Sequence, residues 1–249
     1  MEKPIVDILN AVNARFYRDH AESFSQTRQN PWEGWFPIGE ALDALAETAR
    51  YETRILDVGC GNMRFESFLD SRYPQRRFEY TCIDSCANLV PENSGYRFIQ
   101  RDIVSDIAED KYAFEDFGGP FDAAVAFGLM HHIPGRENRK EFLRQLCACV
   151  KPNGIVAVSF WQFMDVAKLA MKAQEVTNRA IDELELIPGD IEENDYFLDW
   201  SDDRAALRYC HHFDDAEIES LIGSVSPLAH AEALYKADTA NRYAILRLL

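Results

Sequence analysis

The sequence predicts an α/β fold: a seven-stranded, mostly parallel sheet with helices on both faces, an N-terminal helical lid and an insertion after the fifth strand. Three observations predict it. The segment Arg54-Ile-Leu-Asp57-Val-Gly59-Cys60-Gly61-Asn62-Met63-Arg64-Phe65 joins a short apolar strand to a glycine turn that opens a helix, the layout of a loop whose backbone approaches a ligand closely. Apolar runs of strand length then alternate with helical patterns, which implies parallel strands with right-handed crossovers. Phe78–Asp84 and Tyr96–Asp102 each end in an aspartate, so successive strands bring glycines and carboxylates to one sheet edge, where open α/β sheets bind ligands.

Along the chain, Ile5, Ile8, Leu9, Val12 and Phe16 recur at helical spacing and predict a helix from Ile5 to about Phe24. A polar, proline-broken stretch through Trp32 follows, then a second helix from Ile38 to Ala49, so that residues 1–50 read as a helical cap. The core is expected as strand to Asp57, helix Arg64–Ser71, strand to Asp84, short helix from Ala87, strand to Asp102 and strand Phe121–Phe127. Helix Glu137–Val150, a turn at Lys151-Pro-Asn-Gly154 and a buried strand Ile155–Phe160 complete that alternation. Residues 161–210 form the insertion, helical from about Val166 to Leu186 and then an acidic loop around Pro188-Gly-Asp-Ile-Glu-Glu-Asn194. Leaving the carboxyl end of a strand, it reads either as a substrate-selecting lid or, on composition, as a solvated acidic decoration. Asp214 caps a helix to Ile222 with Glu217 at capping-box spacing, and strands Ala229–Tyr235 and Arg242–Leu248 close the sheet. Residues 1–249 are read as one domain.

A hydrophobic content of 47% over 249 residues suffices to bury a full core. No apolar run reaches the length of a membrane span, and Met1-Glu-Lys-Pro-Ile-Val-Asp lacks the layout of a secretory signal, so a cytoplasmic protein without membrane contact is expected. The six cysteines form no C-x-x-C pair and read as buried free thiols, with Cys60 in the glycine turn also admitting a nucleophile reading. Of the net charge of −16, −12 falls between Asp182 and Glu219, where fourteen acids face only Arg204 and Arg208. The remaining −4 permits a local basic surface but no long-range attraction to a polyanion.

Leu56-Asp-Val-Gly-Cys-Gly61, Asp84, Asp102 and Phe121-Asp-Ala-Ala-Val-Ala-Phe-Gly128 together resemble the class I S-adenosylmethionine-dependent methyltransferases, over roughly the middle half of the chain. The resemblance implies a Rossmann-like domain with S-adenosylmethionine as cofactor, held by Arg28, Asp57, Gly59, Cys60, Gly61, Asp84, Ser85, Asp102, Ile103 and Phe127. In it, Asp84 would accept from both ribose hydroxyls, Asp102 from the adenine amino group, and the Ile103 backbone would touch the ring. Met63 stands where a dinucleotide loop has its third glycine, which favours a cofactor without pyrophosphate.

Phe24–Trp32, Met130-His-His-Ile133 and Arg208-Tyr-Cys-His-His-Phe213 look like the subfamily that methylates the carboxymethyl group of wobble uridine in transfer RNA. The acceptor implied is a carboxylate, already ionised at neutral pH, so it needs a fixed cation more than a base. Arg28 and Arg208 fit such a clamp, and His132 is the third substrate-positioning residue. One of His131 and His132 also reads as packing or hydrogen-bonding the N-terminal segment, with a catalytic base as the alternative, and His211-His212 reads the same way; with no carboxylate at ligand spacing, no metal is expected. Scarce basic surface implies either a basic partner subunit for transfer RNA or a small carboxylate metabolite as acceptor. A regulatory protein that binds the cofactor without catalysis is the reading from a different class.

Overall fold

The computed structural model describes residues 1–48, 51–114, 116–187, 189–200 and 203–249. Its strands are β1 (Thr53–Val58), β2 (Phe78–Asp84), β3 (Arg97–Gln100), β4 (Phe121–Ala126), β5 (Val150–Trp161), β6 (Asp195–Trp200), β7 (Asp203–His211), β8 (Ala229–Ala237) and β9 (Asn241–Leu248). Seven form one sheet in the order β3-β2-β1-β4-β5-β9-β8, and β6 pairs with β7 apart from it. β3, β2, β1, β4 and β5 run parallel, while β9 is antiparallel to β5 and to β8. The chain order reverses between β1 and β4, and the crevice at such a switch point opens at the carboxyl ends of the strands.

The helices are α1 (Lys3–Gln26), α2 (Trp35–Thr48), α3 (Arg64–Arg72), α4 (Ile103–Ala108), α5 (Arg136–Ala148), α6 (Ala167–Glu183) and α7 (Asp215–Ser224). Side chains alternate across the central strands, so each strand feeds two cores. Leu56, Val58, Ala124, Ala126, Val156 and Val158 face α4, α5 and α7, whereas Ile55, Ala123, Val125, Ile155 and Ala157 face α2 and α3. The apolar stripe of α1, Leu9 and Val12, packs on Val176, Ala180, Phe197, Leu207 and Tyr209 of the insertion. α1 therefore lies over the carboxyl edge of the sheet, bending at His20, whose φ of −123° departs from helical geometry.

Several expectations need correction. The second helix begins at Trp35, three residues before Ile38, because Pro37 fits the first turn where no backbone donor is needed; its expected end at Ala49 lies outside the described residues. α4 was not expected: it has six residues, too few to show a period, and Asp102 caps it by accepting the Ser105 N–H at 3.0 Å instead of ending a strand. α5 ends at Ala148, and Val150 already pairs with Phe121. Lys151-Pro-Asn-Gly154 is carried within β5 as a bulge between the pairs Phe121–Val150 and Ala123–Ile155, with Asn153 at φ 63°. The acidic part of the insertion is a hairpin, β6 and β7, and not a loop alone; Pro188 lies outside the described residues. All six cysteines are free and buried. No helix among the described residues is long and apolar enough to cross a membrane.

Candidate functional site

A cavity of about 560 Å³ opens at the carboxyl edge of β1, β2 and β4. It is lined by every residue expected around the cofactor and the acceptor: Arg28, Asp57, Gly59, Cys60, Gly61, Asp84, Ser85, Asp102, Ile103, Phe127, His132 and Arg208. The floor is the glycine turn. Gly59 and Gly61 hold φ of 78° and 53°, and a side chain at Gly61 would project into empty space where a ligand can come against the backbone. Met63 adopts φ 57°, the conformation a glycine would take, while its side chain is buried against the aromatic core of α2 and α3.

Asp84 at the end of β2 accepts the N–H of Gly61 at 2.9 Å and of Cys86 at 2.8 Å, one on each oxygen. A carboxylate has about four acceptor positions, so two remain for a diol in the cavity. Burial raises its pKa, and the backbone donors counter this in part. Asp102 is fixed by Ser105 N–H and by Asn10 Nδ2 at 2.7 Å, and the Ile103 N–H lies in the first turn of α4, where backbone donors lack intrahelical acceptors. Asp57 lies beneath the turn against Glu66; burial and that second carboxylate push its pKa well above the usual range. A side-chain hydrogen bond between the free thiols of Cys60 and Cys82, together with burial, raises the pKa of Cys60 well above a free thiol's, which opposes the nucleophile reading.

The opposite wall comes from α1 and the insertion. Asn10, Asn13 and Tyr17 form a stripe of helical spacing along α1 that faces the cavity. His132 is held on all sides: its Nδ1 lies 2.8 Å from the Tyr209 carbonyl and 3.2 Å from Asn13 Nδ2, and its Nε2 lies 2.7 Å from Tyr17 Oη. Those contacts fix the orientation of the ring. His131, which the sequence reading did not single out as a site residue, keeps a buried Nδ1 without a partner, and burial holds its pKa well below the usual histidine value.

Arg28 and Arg208 converge on Trp200, their guanidinium carbons 5.3 and 5.1 Å from its ring centroid. Arg28 also stacks on Phe24 at 3.7 Å and Arg208 on Phe16 at 4.8 Å, and Arg208 Nε is buried without a hydrogen-bond partner. No carboxylate pairs with either cation among the described residues, and burial pulls the pKa of Arg28 down to about 10. Two desolvated cations without a counter-ion make a site for an anion. His131, His132 and Cys210 are close enough to share an ion, but the same two guanidiniums disfavour a cation there. Trp200 and Tyr17 were missed in the sequence; the polar spacing Asn10, Asn13, Tyr17 was the available signal for the latter.

Behind Arg208 the hairpin is tied to the core by a buried network. His211 Nδ1 meets Asp195 at 2.6 Å and its Nε2 meets Glu217 at 2.8 Å, while Arg139 joins Glu217 and Glu192, each at 2.8 Å. Asp199 pairs with Lys172 and Arg179. Much of the −12 stretch is therefore internal ion pairing, which overturns the reading of a purely solvated decoration.

The histidines set a pH dependence. Burial lowers the pKa of His132 from 6.5 to about 3, so the unfolded chain takes up a proton there that the folded chain refuses. Its contribution is complete above the unfolded value and is lost as pH falls, by about 2 kcal/mol at pH 5, and His131 acts in the same direction. At His211 burial lowers the pKa but the two carboxylates outweigh it; its contribution is complete below 6.5 and lost as pH rises through the raised folded value. The urea midpoint should fall between pH 7 and pH 5, and His132→Asn should remove about 2 kcal/mol of that fall; an identical pH profile in the variant would refute the assignment.

A model described as a methyltransferase domain matches residues 27–223. Over 59% of its length the chain is 29% identical to a tRNA (carboxymethyluridine(34)-5-O)-methyltransferase of Arabidopsis thaliana, and the match covers 32% of that protein. Proteins of the same name from Mus musculus and Saccharomyces cerevisiae match at 27% and 24% identity, over 19% and 47% of their lengths. The chain thus matches less than half of each of these relatives. Among solved structures, a SAM-dependent methyltransferase of Methanosarcina mazei is 16% identical with a TM-score of 0.57, covering 83% of this chain and 97% of that one. A SAM-bound amino pentose methyltransferase of Micromonospora echinaspora is 14% identical with a TM-score of 0.55, over 92% and 96%. At these identities the likeness is one of fold.

Proposed function

The chain belongs to the methyltransferase-domain family, and from that premise we propose that it transfers the methyl group of S-adenosylmethionine to a carboxylate oxygen, as on the carboxymethyl group of wobble uridine in transfer RNA. The observation that carries the acceptor class is Arg208, a buried cation that no carboxylate pairs with among the described residues, beside Trp200 inside the cavity. The names of the plant, mouse and yeast relatives support the same acceptor.

The residues fit the cofactor group by group. Asp84 has lone pairs left and would accept from the ribose diol, Asp102 would accept from the adenine amino group, the open side of Gly61 would receive the methionine portion, and Arg28 would meet the cofactor's own carboxylate. When bound, S-adenosylmethionine supplies an electrophilic methyl group on sulfur. Arg208 would hold the acceptor carboxylate, His132 fixes the wall that carries Arg208 through the Tyr209 carbonyl, and Trp200 and Phe24 would exclude water. No base is needed, because the nucleophilic oxygen is already ionised and the product is a neutral methyl ester. With a net charge of −16, binding of a whole transfer RNA calls for a basic partner subunit. The same charge favours, as a second reading, a small carboxylate acceptor.

Calorimetry with S-adenosylmethionine should show binding that Asp84→Ala weakens by about 1.5–3 kcal/mol. Mass spectrometry should then detect methyl ester formation on 5-carboxymethyluridine in RNA. Equal cofactor binding by the variant would remove the cofactor placement, and absence of the ester would remove the acceptor.

A further inference from the structure

Next to the cavity runs a second groove of about 730 Å³, between the segment that follows α1 and the helix α3. The two meet at Arg28, Asn62 and Arg64, which line both. The groove holds three arginines, Arg28, Arg64 and Arg72, and no carboxylate lines it, the reverse of a chain with net charge −16. The partners of these cations are neutral. Arg28 donates to Thr27 Oγ1 at 2.8 Å, Arg64 to Asn62 Oδ1 at 3.2 Å and the Asn30 carbonyl at 2.6 Å, and Arg72 lies over the Phe36 ring at 5.8 Å. Phe36 is 40% exposed, a large aromatic surface beside a cation. Burial pulls Arg64, like Arg28, down to about 10, as befits a cation desolvated without a counter-ion.

We propose that this groove binds the phosphodiester backbone of the nucleotides that flank the acceptor group in single-stranded RNA. Three features commit it to that occupant. Arg64 and Arg72 are complementary to phosphate and are spent on no carboxylate. An exposed aromatic ring next to arginines is the combination that single-strand sites use to hold backbone and base together. The groove is continuous with the cavity, so a chain whose modified base enters the cavity presents its neighbouring phosphates to Arg64 and, further along, to Arg72. The acidic remainder of the surface does not oppose this at close range, because charges more than about 8 Å away are screened at physiological salt. The inference rests on the proposed acceptor being part of a nucleotide.

The test uses fluorescence anisotropy with a labelled oligouridylate of about six nucleotides, which carries no acceptor group, across a salt series. The protein should bind it with a logarithmic salt slope of about −1.4 to −2, as for two or three contacted phosphates. Arg72 is exposed, so its replacement does not threaten the fold. Arg72→Gln should reduce the slope by about 0.7 and Arg72→Glu should weaken binding by about tenfold or more. Identical isotherms for wild type and Arg72→Glu would overturn the proposal. So would complete displacement by inorganic pyrophosphate together with no gain in affinity from dinucleotide to hexanucleotide, which would assign the groove to a small phosphate. Methyl transfer to free 5-carboxymethyluridine, assayed in parallel, separates the two readings: its absence counts against the acceptor, while a failure of oligouridylate binding counts against the groove alone.

Discussion

Replacing Arg208 with alanine should lower methyl transfer by about 10²–10³-fold, the scale for removing one fixed donor from an anion at the reacting centre. Arg208 lies on β7, stacked on Phe16 and beside Trp200, with its Nε buried and unpartnered. Little of its charge is therefore masked before an acceptor arrives. Arg208→Lys should recover only part of the rate, since an ammonium keeps the charge and loses the planar fork that grips a carboxylate through two bonds. Single-turnover transfer of labelled methyl, with cofactor affinity measured on the same samples, separates acceptor positioning from cofactor loss. A rate within about threefold of wild type would show that the acceptor is not held by this cation; threefold is well below the 10²-fold expected.

The second large effect concerns stability. Arg139→Ala should destabilise the fold by about 3–5 kcal/mol, because it leaves Glu217 and Glu192 without their shared cation. Arg139 is 1% exposed and the Glu217 side chain 12%, so this carboxylate has little solvent to compensate the lost charge. Burial acts against ionised Glu217, yet its hydrogen bond with His211 and the charges of His211 and Arg139 outweigh this and hold its pKa near 2. A loss of this size corresponds to a fall in Tm of about 6–20 °C for a domain of this length. Thermal melts of Arg139→Ala, His211→Ala and the double variant would also yield the coupling between the two, which should be sizeable for residues that share Glu217. Strictly additive losses would mean that the network acts as separate pairs.

The cofactor edge was legible because its signals are local. Gly59, Gly61 and Asp84 follow one another within a strand, a turn and a strand, and β2 spans Phe78–Asp84 as expected. Asp102 was rightly placed at the crevice but for an incomplete reason, since it caps a helix too short to betray itself by periodicity. The insertion was harder to read. Counting charge between Asp182 and Glu219 suggested a solvated loop, yet Asp195 is buried on Tyr209 and His211, and Asp199 on two cations. Composition records how many charges a segment has and not which partners the fold will bring. Trp200 and Tyr17 share a cavity only because α1 and β6 are brought together by the fold; the polar spacing of α1 marks a face at Tyr17, but nothing in β6 shows that Trp200 meets it.

The two walls of the cavity have different origins in the chain. The sheet edge from Asp57 to Asp102 supplies one, and α1 with the hairpin supplies the other, joined by Asn13 to His132 and Tyr209. Descendants of such a chain are free to exchange acceptors by altering α1 and residues 161–211 while inheriting the sheet edge unchanged. Asn13 limits that freedom, because its Oδ1 accepts the Tyr209 N–H at 2.8 Å while its Nδ2 lies against His132, so the helix and the hairpin must change in concert.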